Sequence, residues 1–492
     1  MATIPFSSSF LSFFLFIIST LLFLSSSSSN KLGFAFAGRE KIESNHLHHT
    51  HTLQVSSLLP STTCGPSSKG PNRKASLKVV HKYGPCSQLD EDKAKTPTHA
   101  EILQQDEARV KSIHSRLSNK LAADTDALRV DSTIIPAKSG SVVGSGNYVV
   151  TIGLGTPKKD LTLIFDTGSD ITWTQCVPCA RSCYDQKEPI FNPSASKTYT
   201  NITCGSNQCS QLVSATGITP GCSASTCVYG IKYGDQSFSV GFFGKERLTL
   251  TPTDVFDNFL FGCGQNNKGL FGGSAGLLGL ARDPLSLVQQ TAPKYGRFFS
   301  YCLPSTSSAT GHLTFGKGSG GASNSVKFTP LSKISDGTSF YGLDITGISV
   351  GGSRLAIAAS VFSTSGSIID SGTVITRLPP AAYTSLRTAF RQAMKQYPLT
   401  DALSILDTCY DLSKFDDVTF PKIEFLFSGG VNVELDEVGV FYAERISQVC
   451  LAFAGNGEAS DVAIFGNVQQ RRLEVVYDVA GGRVGFGAAG CS

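Results

Sequence analysis

The chain of 492 residues is predicted to be mainly β, built as two similar lobes with a few short helices. Two observations predict this. Glycine is abundant at 49 residues, Phe, Val, Ile and Thr are frequent, and turn-forming residues recur roughly every ten positions, the spacing of many short strands. One stretch also occurs twice. Ile164-Phe165-Asp166-Thr167-Gly168-Ser169-Asp170-Ile171-Thr172-Trp173 is echoed about two hundred residues later by Ile368-Ile369-Asp370-Ser371-Gly372-Thr373-Val374-Ile375-Thr376. In each copy two apolar residues precede Asp, a small hydroxyl residue, Gly and another hydroxyl, and Ile-Thr follows. Apolar β-formers running into an Asp-Ser/Thr-Gly turn read as a buried strand whose tip carries a carboxylate. Such a triplet alone is ordinary turn chemistry; the repeated frame is what implies one Asp per lobe.

Charge and composition exclude several functions. Residues 1–139 hold 16 Lys+Arg against 11 Asp+Glu, leaving 26 against 27 for residues 140–492, so the net +4 conceals a basic first part and a near-neutral remainder. That remainder lacks the basic footprint of a nucleic-acid binder. It contains one histidine, His312, in a Ser/Thr/Gly-rich stretch, a poor base for a Ser-His or Cys-His nucleophile and too little for a histidine zinc site. No metal and no cofactor are implied. Fourteen cysteines point to an oxidising compartment. Cys64 and Cys86 lie in the first part, and the remaining twelve could form six disulfides. A zinc knuckle at Cys176-x2-Cys179 is the competing reading.

Taken in order, residues 6–24 are apolar and are followed by serines and Ala35-Phe36-Ala37. Residues 1–37 therefore suit a signal peptide cleaved between 29 and 37, although no Lys or Arg precedes the apolar core; a chloroplast transit peptide is the alternative. Later runs fall short of the roughly 18 apolar residues of a membrane span, and the C-terminal tail is no lipid signal, so no membrane anchor is expected. In the polar, His-rich segment 38–139, Ile102, Asp106, Val110, Ile113, Leu117 and Leu121 recur near a 3.6 period, predicting an amphipathic helix over 99–121.

Tyr148–Pro157 alternates as a half-buried strand ending in a turn, and Leu161–Phe165 leads to Asp166. Residues 176–227 form a cysteine-dense insertion whose Ser, Thr, Asn and Gly content predicts disulfides rather than a core. It contains Asn201-Ile202-Thr203, which makes Asn201 the candidate glycosylation site. Two β-forming runs around Gly234-Asp235-Gln236 predict a hairpin. Pro284–Ala292 reads as a helix opened by proline. Residues 303–325 read as a loop region between lobes, with His312–Phe315 as a candidate strand. In the second lobe Tyr341–Val350 alternates, Ser367–Asp370 is a strand, and Leu386, Phe390 and Met394 predict a helix over 380–397. Val475–Asp478 and Arg483–Phe486 close the sheet. The expected lobes are 140–325 and 326–492.

The doubled motif resembles the pepsin-like aspartic peptidases, and the cysteine-rich insertion resembles the plant subgroup of nepenthesins and chloroplast nucleoid DNA-binding-protein-like peptidases. The resemblance covers residue 140 to the end. It implies the bilobal, double-psi β-barrel acid-protease fold, with Asp166 and Asp370 catalytic and Gly168, Ser169, Gly372 and Thr373 supporting them. It implies that the hairpin is a flap over substrate bearing Tyr233, Gly234 and Asp235, with Trp173 hydrogen-bonded to Tyr233. It further implies a Cys409–Cys450 disulfide, close-approach segments at Gly276–Ala281 and Ala463–Asn467, and the insertion near the cleft entrance. Segment 38–139, including Val79–Cys86, resembles the family's propeptide. The expected partners are a protein or peptide substrate and the chain's own propeptide as inhibitor, with a monomer secreted to the apoplast, or else sent to the chloroplast or vacuole. Asp170 replaces a common Ser, as is usual in the plant subgroup.

Two carboxylates at about 3 Å cannot both ionise, an effect for which aspartic peptidases are the usual illustration. A pair sharing one proton can deprotonate a water while stabilising the oxyanion that forms. Acid would charge the leader's histidines and protonate carboxylates that hold it, releasing an inhibitor. Competing readings are a glycosidase, whose carboxylates stand about 5–9.5 Å apart, a catalytically inactive pepsin-fold binding or inhibitor protein, which would normally show a damaged motif, and a DNA-binding relative.

Overall fold

The computed structural model describes residues 49–67, 75–89, 97–117, 147–233, 236–269, 271–317, 325–332, 334 and 339–491. The expected signal segment, Gly234 and Asp235 at the hairpin tip, and the predicted helix beyond Leu117 lie outside the described residues.

The chain is mainly β, and the two halves repeat one arrangement. In the first, strand Lys159–Asp166 lies parallel to Gly276–Gly279, with Asp166 opposite Gly279. In the second, Ser367–Ile369 lies parallel to Ala463–Phe465, with Ile369 opposite Phe465. Each half adds a second parallel pair: Trp173–Gln175 beside the strand Asp254–Lys268, and Thr376–Leu378 beside Phe453–Gly455. The strands bearing the two Asp are thus flanked alike. Glycine permits these crossings, since a side-chain carbon on Gly279 would come within 2.5 Å of the Asp170 carbonyl carbon, and one on Gly466 within 2.8 Å of Ile375.

A long sheet joins the halves. From an edge at Lys327–Pro330 it passes through Arg483–Gly487, Glu474–Asp478, Phe298–Cys302 and Thr310–Phe315 to Ser76–His81, and then through Tyr148–Leu154 into the first half. Segment 38–139 therefore supplies an interior strand. Ser76–His81 pairs antiparallel with Thr310–Phe315 on one side and Tyr148–Leu154 on the other, and Val79 is fully buried. Thr50–Gln54 pairs with Asp417–Pro421.

The predicted helix in this segment runs His99–Leu117 and buries Ile102, Leu103, Asp106, Val110, Ile113 and Leu117, the face that its spacing marked. The helix of the second half runs Pro380–Ala393 with Leu386, Phe390 and the following Met394 buried.

Several expectations are corrected. The insertion does build a core: Ile202, Cys209, Leu212 and Ala215 pack with Trp173, Tyr229 and Phe243, because two short helices turn their few apolar residues to the same side. The helix expected over Pro284–Ala292 is two short pieces, Leu287–Gln290 and Ala292–Tyr295, the first capped by Ser286 rather than opened by Pro284. The candidate strand His312–Phe315 is present as part of the wholly buried strand Thr310–Phe315, so only the rest of 303–325 stays open to the loop reading. Tyr341–Val350 is buried on both faces except at Asp344 and Thr346 instead of alternating. All fourteen cysteines are paired, as 64–86, 176–263, 179–183, 204–222, 209–227, 302–491 and 409–450. Cys176 thus leaves the insertion to reach Cys263, and no thiol is left for a zinc knuckle. No helix among the described residues is long and apolar enough to cross a membrane.

Candidate active site

The two Asp sit at the C-terminal ends of equivalent strands, where the chain must turn away and leave the carboxylates at the junction of the halves. Both are fully buried. The Gly168 N–H donates to Asp166 Oδ1 at 2.9 Å and the Gly372 N–H to Asp370 Oδ1 at 3.1 Å. On the other oxygens, the Ser169 hydroxyl donates to Asp166 Oδ2 and the Thr373 hydroxyl to Asp370 Oδ2, the latter at 2.6 Å. The Asp-x-Gly-Ser/Thr spacing achieves this: the residue two on offers an amide and the residue three on a hydroxyl, fixing each carboxylate plane.

The halves are also stitched to each other. The Thr167 N–H donates to Ser371 Oγ at 3.1 Å, and the Ser371 N–H to Thr167 Oγ1 at 2.9 Å. The small hydroxyl residue after each Asp is thus a reciprocal crosslink, a role not visible from either motif alone.

Between the carboxylates lies Arg109 of helix His99–Leu117. Its Nη2 is 2.7 Å from Asp166 Oδ1 and 3.0 and 2.9 Å from Asp370 Oδ1 and Oδ2, and its Nε donates to Asp370 Oδ2 at 3.0 Å. Oxygens of the two carboxylates both touching one nitrogen lie within about 6 Å of each other. A side-chain carbon on Gly168 would stand 2.7 Å from Asp370 Oδ1, and one on Gly372 2.5 Å from Asp166 Oδ1, so both glycines are required by the partner lobe's acid.

Burial pushes the Asp166 carboxyl up, but the Arg109 charge and the bonds from Ser169, Arg109 and Gly168 outweigh it and hold the group below the usual carboxylate range. Burial lifts Asp370 instead; Arg109 opposes this, while the Asp166 charge beside it adds to the rise. The pair therefore loses its first proton easily and its second with difficulty, as like charges at contact must. Burial weakens the Arg109 charge, yet the two carboxylates more than restore it.

Three groups have roles that the sequence reading did not assign: Asp170, Asp106 and Arg109. Asp170 accepts from the Asp283 N–H at 2.9 Å and from the Ser339 hydroxyl across the interface, and burial, with the Asp283 charge as a lesser contributor, pushes its carboxyl up to about 7. Asp170 thereby offers two acceptor oxygens where the common Ser would offer one. Asp106 accepts from the N–H groups of Val374 and Ile375 and pairs with Arg377. For Arg109 a signal existed: it neighbours Val110 on the apolar stripe of a helix, where a charged residue demands an acid partner.

The predicted flap residue Tyr233 accepts from the Trp173 indole Nε1–H at 2.8 Å, and Trp173 packs edge-on against Phe271 with ring centroids 5.0 Å apart. Strands Thr226–Lys232 and Phe238–Thr251 form the predicted hairpin. The expected Cys409–Cys450 bond is present. Asn201 is exposed at an edge of the first half, with its Oδ1 accepting from the Tyr199 hydroxyl, and belongs to no part of the site.

Comparison with known proteins agrees with this geometry. The xylanase inhibitor N-terminal family matches residues 148–317 and the xylanase inhibitor C-terminal family residues 340–488. An aspartyl protease family protein of Arabidopsis thaliana is 63% identical over 445 residues, covering 90% of this chain and 93% of that protein. The aspartic proteinase nepenthesin-2 of Nepenthes gracilis is 34% identical over 393 residues, covering 78% of this chain and 84% of that one. Among solved structures, basic 7S globulin from soybean shares the fold, with a TM-score of 0.55 at 22% identity over 70% of this chain and 91% of that one. With two matched acids at a two-lobed junction and relatives of this kind over most of its length, the chain belongs to the plant branch of the pepsin-like aspartic peptidase family.

Proposed function

We propose that the chain is the latent precursor of an aspartic endopeptidase, blocked by its own leader and released by acid. The observation that carries this reading is the Arg109 guanidinium lodged between Asp166 and Asp370. Nη2 contacts both carboxylates, so it stands in for the nucleophilic water of a working site, and substrate and leader exclude one another.

Once Arg109 withdraws, a water takes its donors' place. Whichever of the two carboxylates is ionised accepts the water's proton as the water oxygen attacks the peptide carbonyl. Its partner holds the proton that the pair shares and donates it to the developing oxyanion. The proton gathered from water then passes to the leaving nitrogen, and as the C–N bond breaks a hydroxyl of the tetrahedral intermediate returns its proton to the carboxylate that had donated one, restoring the shared-proton pair. The amides of Gly168 and Gly372 and the hydroxyls of Ser169 and Thr373 hold both carboxylates in place throughout. Tyr233, tied to Trp173, closes the hairpin over the substrate.

Acid release has a structural basis in His81, at the end of the leader's buried strand. Burial, followed by the charges of Arg471, Lys82 and His99, lowers its pKa to about 3; its Nδ1 accepts the Tyr83 N–H, and its ring meets Tyr148 edge-on. A freed leader would hold this histidine at an ordinary value near 6.5. Between roughly pH 6.5 and 3 the freed form therefore binds a proton that the docked form refuses, and docking weakens as pH falls. His81→Gln should move the midpoint of self-processing about 0.5–1 pH unit lower, read by gel analysis of full-length protein incubated across pH 3–7; an unchanged midpoint removes His81 from the release step.

The seven disulfides support passage through an oxidising compartment, hence secretion. Exposed Asn201 would then be open to glycosylation. The test of the whole reading is full-length protein shifted to acid in the presence of a denatured protein substrate. Cleavage of both leader and substrate supports it, and persistent inertness favours the alternative of an inactive pepsin-fold binding protein.

A further inference from the structure

One turn before Arg109, the leader helix makes a second polar contact with the cleft. Asp106 is fully buried; its Oδ1 accepts the Val374 N–H at 2.6 Å, and its Oδ2 accepts the Ile375 N–H at 3.1 Å and lies 3.0 Å from Arg377 Nη2. The guanidinium is itself 1% exposed, one of the largest wholly buried side chains. Among the described residues its carboxylate partners are Asp106 and, at 3.3 Å, Glu107, both on the leader. Its Nη1 donates to the Ile375 carbonyl at 3.2 Å, and among the described residues its Nε has no partner. A segment that a working peptidase must discard therefore carries the anion that balances a buried cation.

When the helix leaves, three donors aimed at one carboxylate remain: two backbone amides fixed beside the Asp370 turn, and a guanidinium on strand Thr376–Leu378, which is held by its pairing with Phe453–Gly455. Donors preset for an anion, on both a rigid backbone and a cation, form a built site. We propose that Arg377, with the amides of Val374 and Ile375, is a subsite for a side-chain carboxylate of the peptide substrate, which Asp106 fills in the latent chain. The proposal rests on the peptidase reading above and names part of its substrate class. Three helical residues span about 4.5 Å, and an extended peptide advances about 3.3 Å per residue, so the favoured acid lies within two residues of the scissile bond. Ile102 and Leu103 pack beside Val374 and Ile375, which makes the neighbouring substrate position apolar.

The test uses full-length protein activated by acid and quenched fluorescent peptides in matched pairs, Glu against Gln, with the exchange placed at each position from three before to three after the cleaved bond. At about pH 5 one position within two residues of the bond should favour Glu by about tenfold or more in kcat/KM. That ratio should fall toward one near pH 3, as the substrate carboxylate takes up a proton, and should be lost in Arg377→Gln. A ratio below about twofold at every position, or a preference that survives in Arg377→Gln, overturns the subsite. Should Arg377→Gln fail to fold, the fall of the wild-type ratio with pH decides alone, and a ratio unaltered between pH 5 and 3 counts against the proposal. If neither member of any pair is cleaved, the peptidase reading falls and the subsite with it.

Discussion

Asp166→Asn and Asp370→Asn, each alone, should lower kcat/KM of the acid-activated enzyme by more than about three orders of magnitude, some 4 kcal/mol of barrier. Asparagine preserves volume but cannot carry the charge that accepts the water's proton, nor hold the proton that the oxyanion needs. The two effects should not add, because the carboxylates act as one unit: the double variant should be about as inactive as either single one. Each variant also removes a partner of Arg109, so the leader docks more weakly while losing the means to cut itself. Assay after processing by added wild-type enzyme, with the subsequent removal of that enzyme, separates lost catalysis from lost processing. Residual activity within about tenfold of wild type in either variant is incompatible with the scheme.

Arg109→Ala should sharply weaken latency. Removing one partner of a buried, multiply bonded ion pair costs roughly 3–5 kcal/mol, which is about a hundredfold or more in the docking equilibrium. The full-length variant should therefore process itself about one pH unit or more above the wild type, and a synthetic peptide of residues 99–117 should inhibit the activated enzyme about a hundredfold less well when it carries the change. The pH sense follows from the carboxylates. Arg109 holds Asp166 below its ordinary range, so the latch acts fully above that range and is lost as pH falls through the lowered value. Arg109→Lys should retain part of the effect, since an ammonium ion meets both acids but without the planar fork. Unchanged latency in Arg109→Ala would show that the strand Ser76–His81 and the apolar helix face suffice to block the cleft.

What was legible in the sequence is what repetition and periodicity encode. The paired Asp-x-Gly motifs located both carboxylates, the amides of Gly168 and Gly372 and the hydroxyls of Ser169 and Thr373, because those contacts are two and three residues away along the chain. The helix around Arg109 was legible from its apolar spacing, with Leu103 and Val110 turned inward. Contacts that join distant segments were not legible. Arg109 meets acids 57 and 261 residues away, and no local pattern pairs them; neither the Thr167–Ser371 crosslink nor Asp170 with Ser339 follows from spacing. The insertion was misjudged for a related reason: Leu212 and Ala215 look too sparse for a core, yet they need only complete the cluster that Trp173 and Tyr229 begin. The disposition of Cys176 with Cys263 likewise depended on two strands, Trp173–Gln175 and Asp254–Lys268, meeting in the sheet.

The pH dependence of kcat/KM for the activated enzyme on an uncharged peptide tests the shared-proton dyad most directly. A bell with both limbs on the acid side of neutral, belonging to the pair and erased by either Asn substitution, is the predicted result. A rate that keeps rising through pH 8, or a bell that persists in Asp166→Asn, would contradict it.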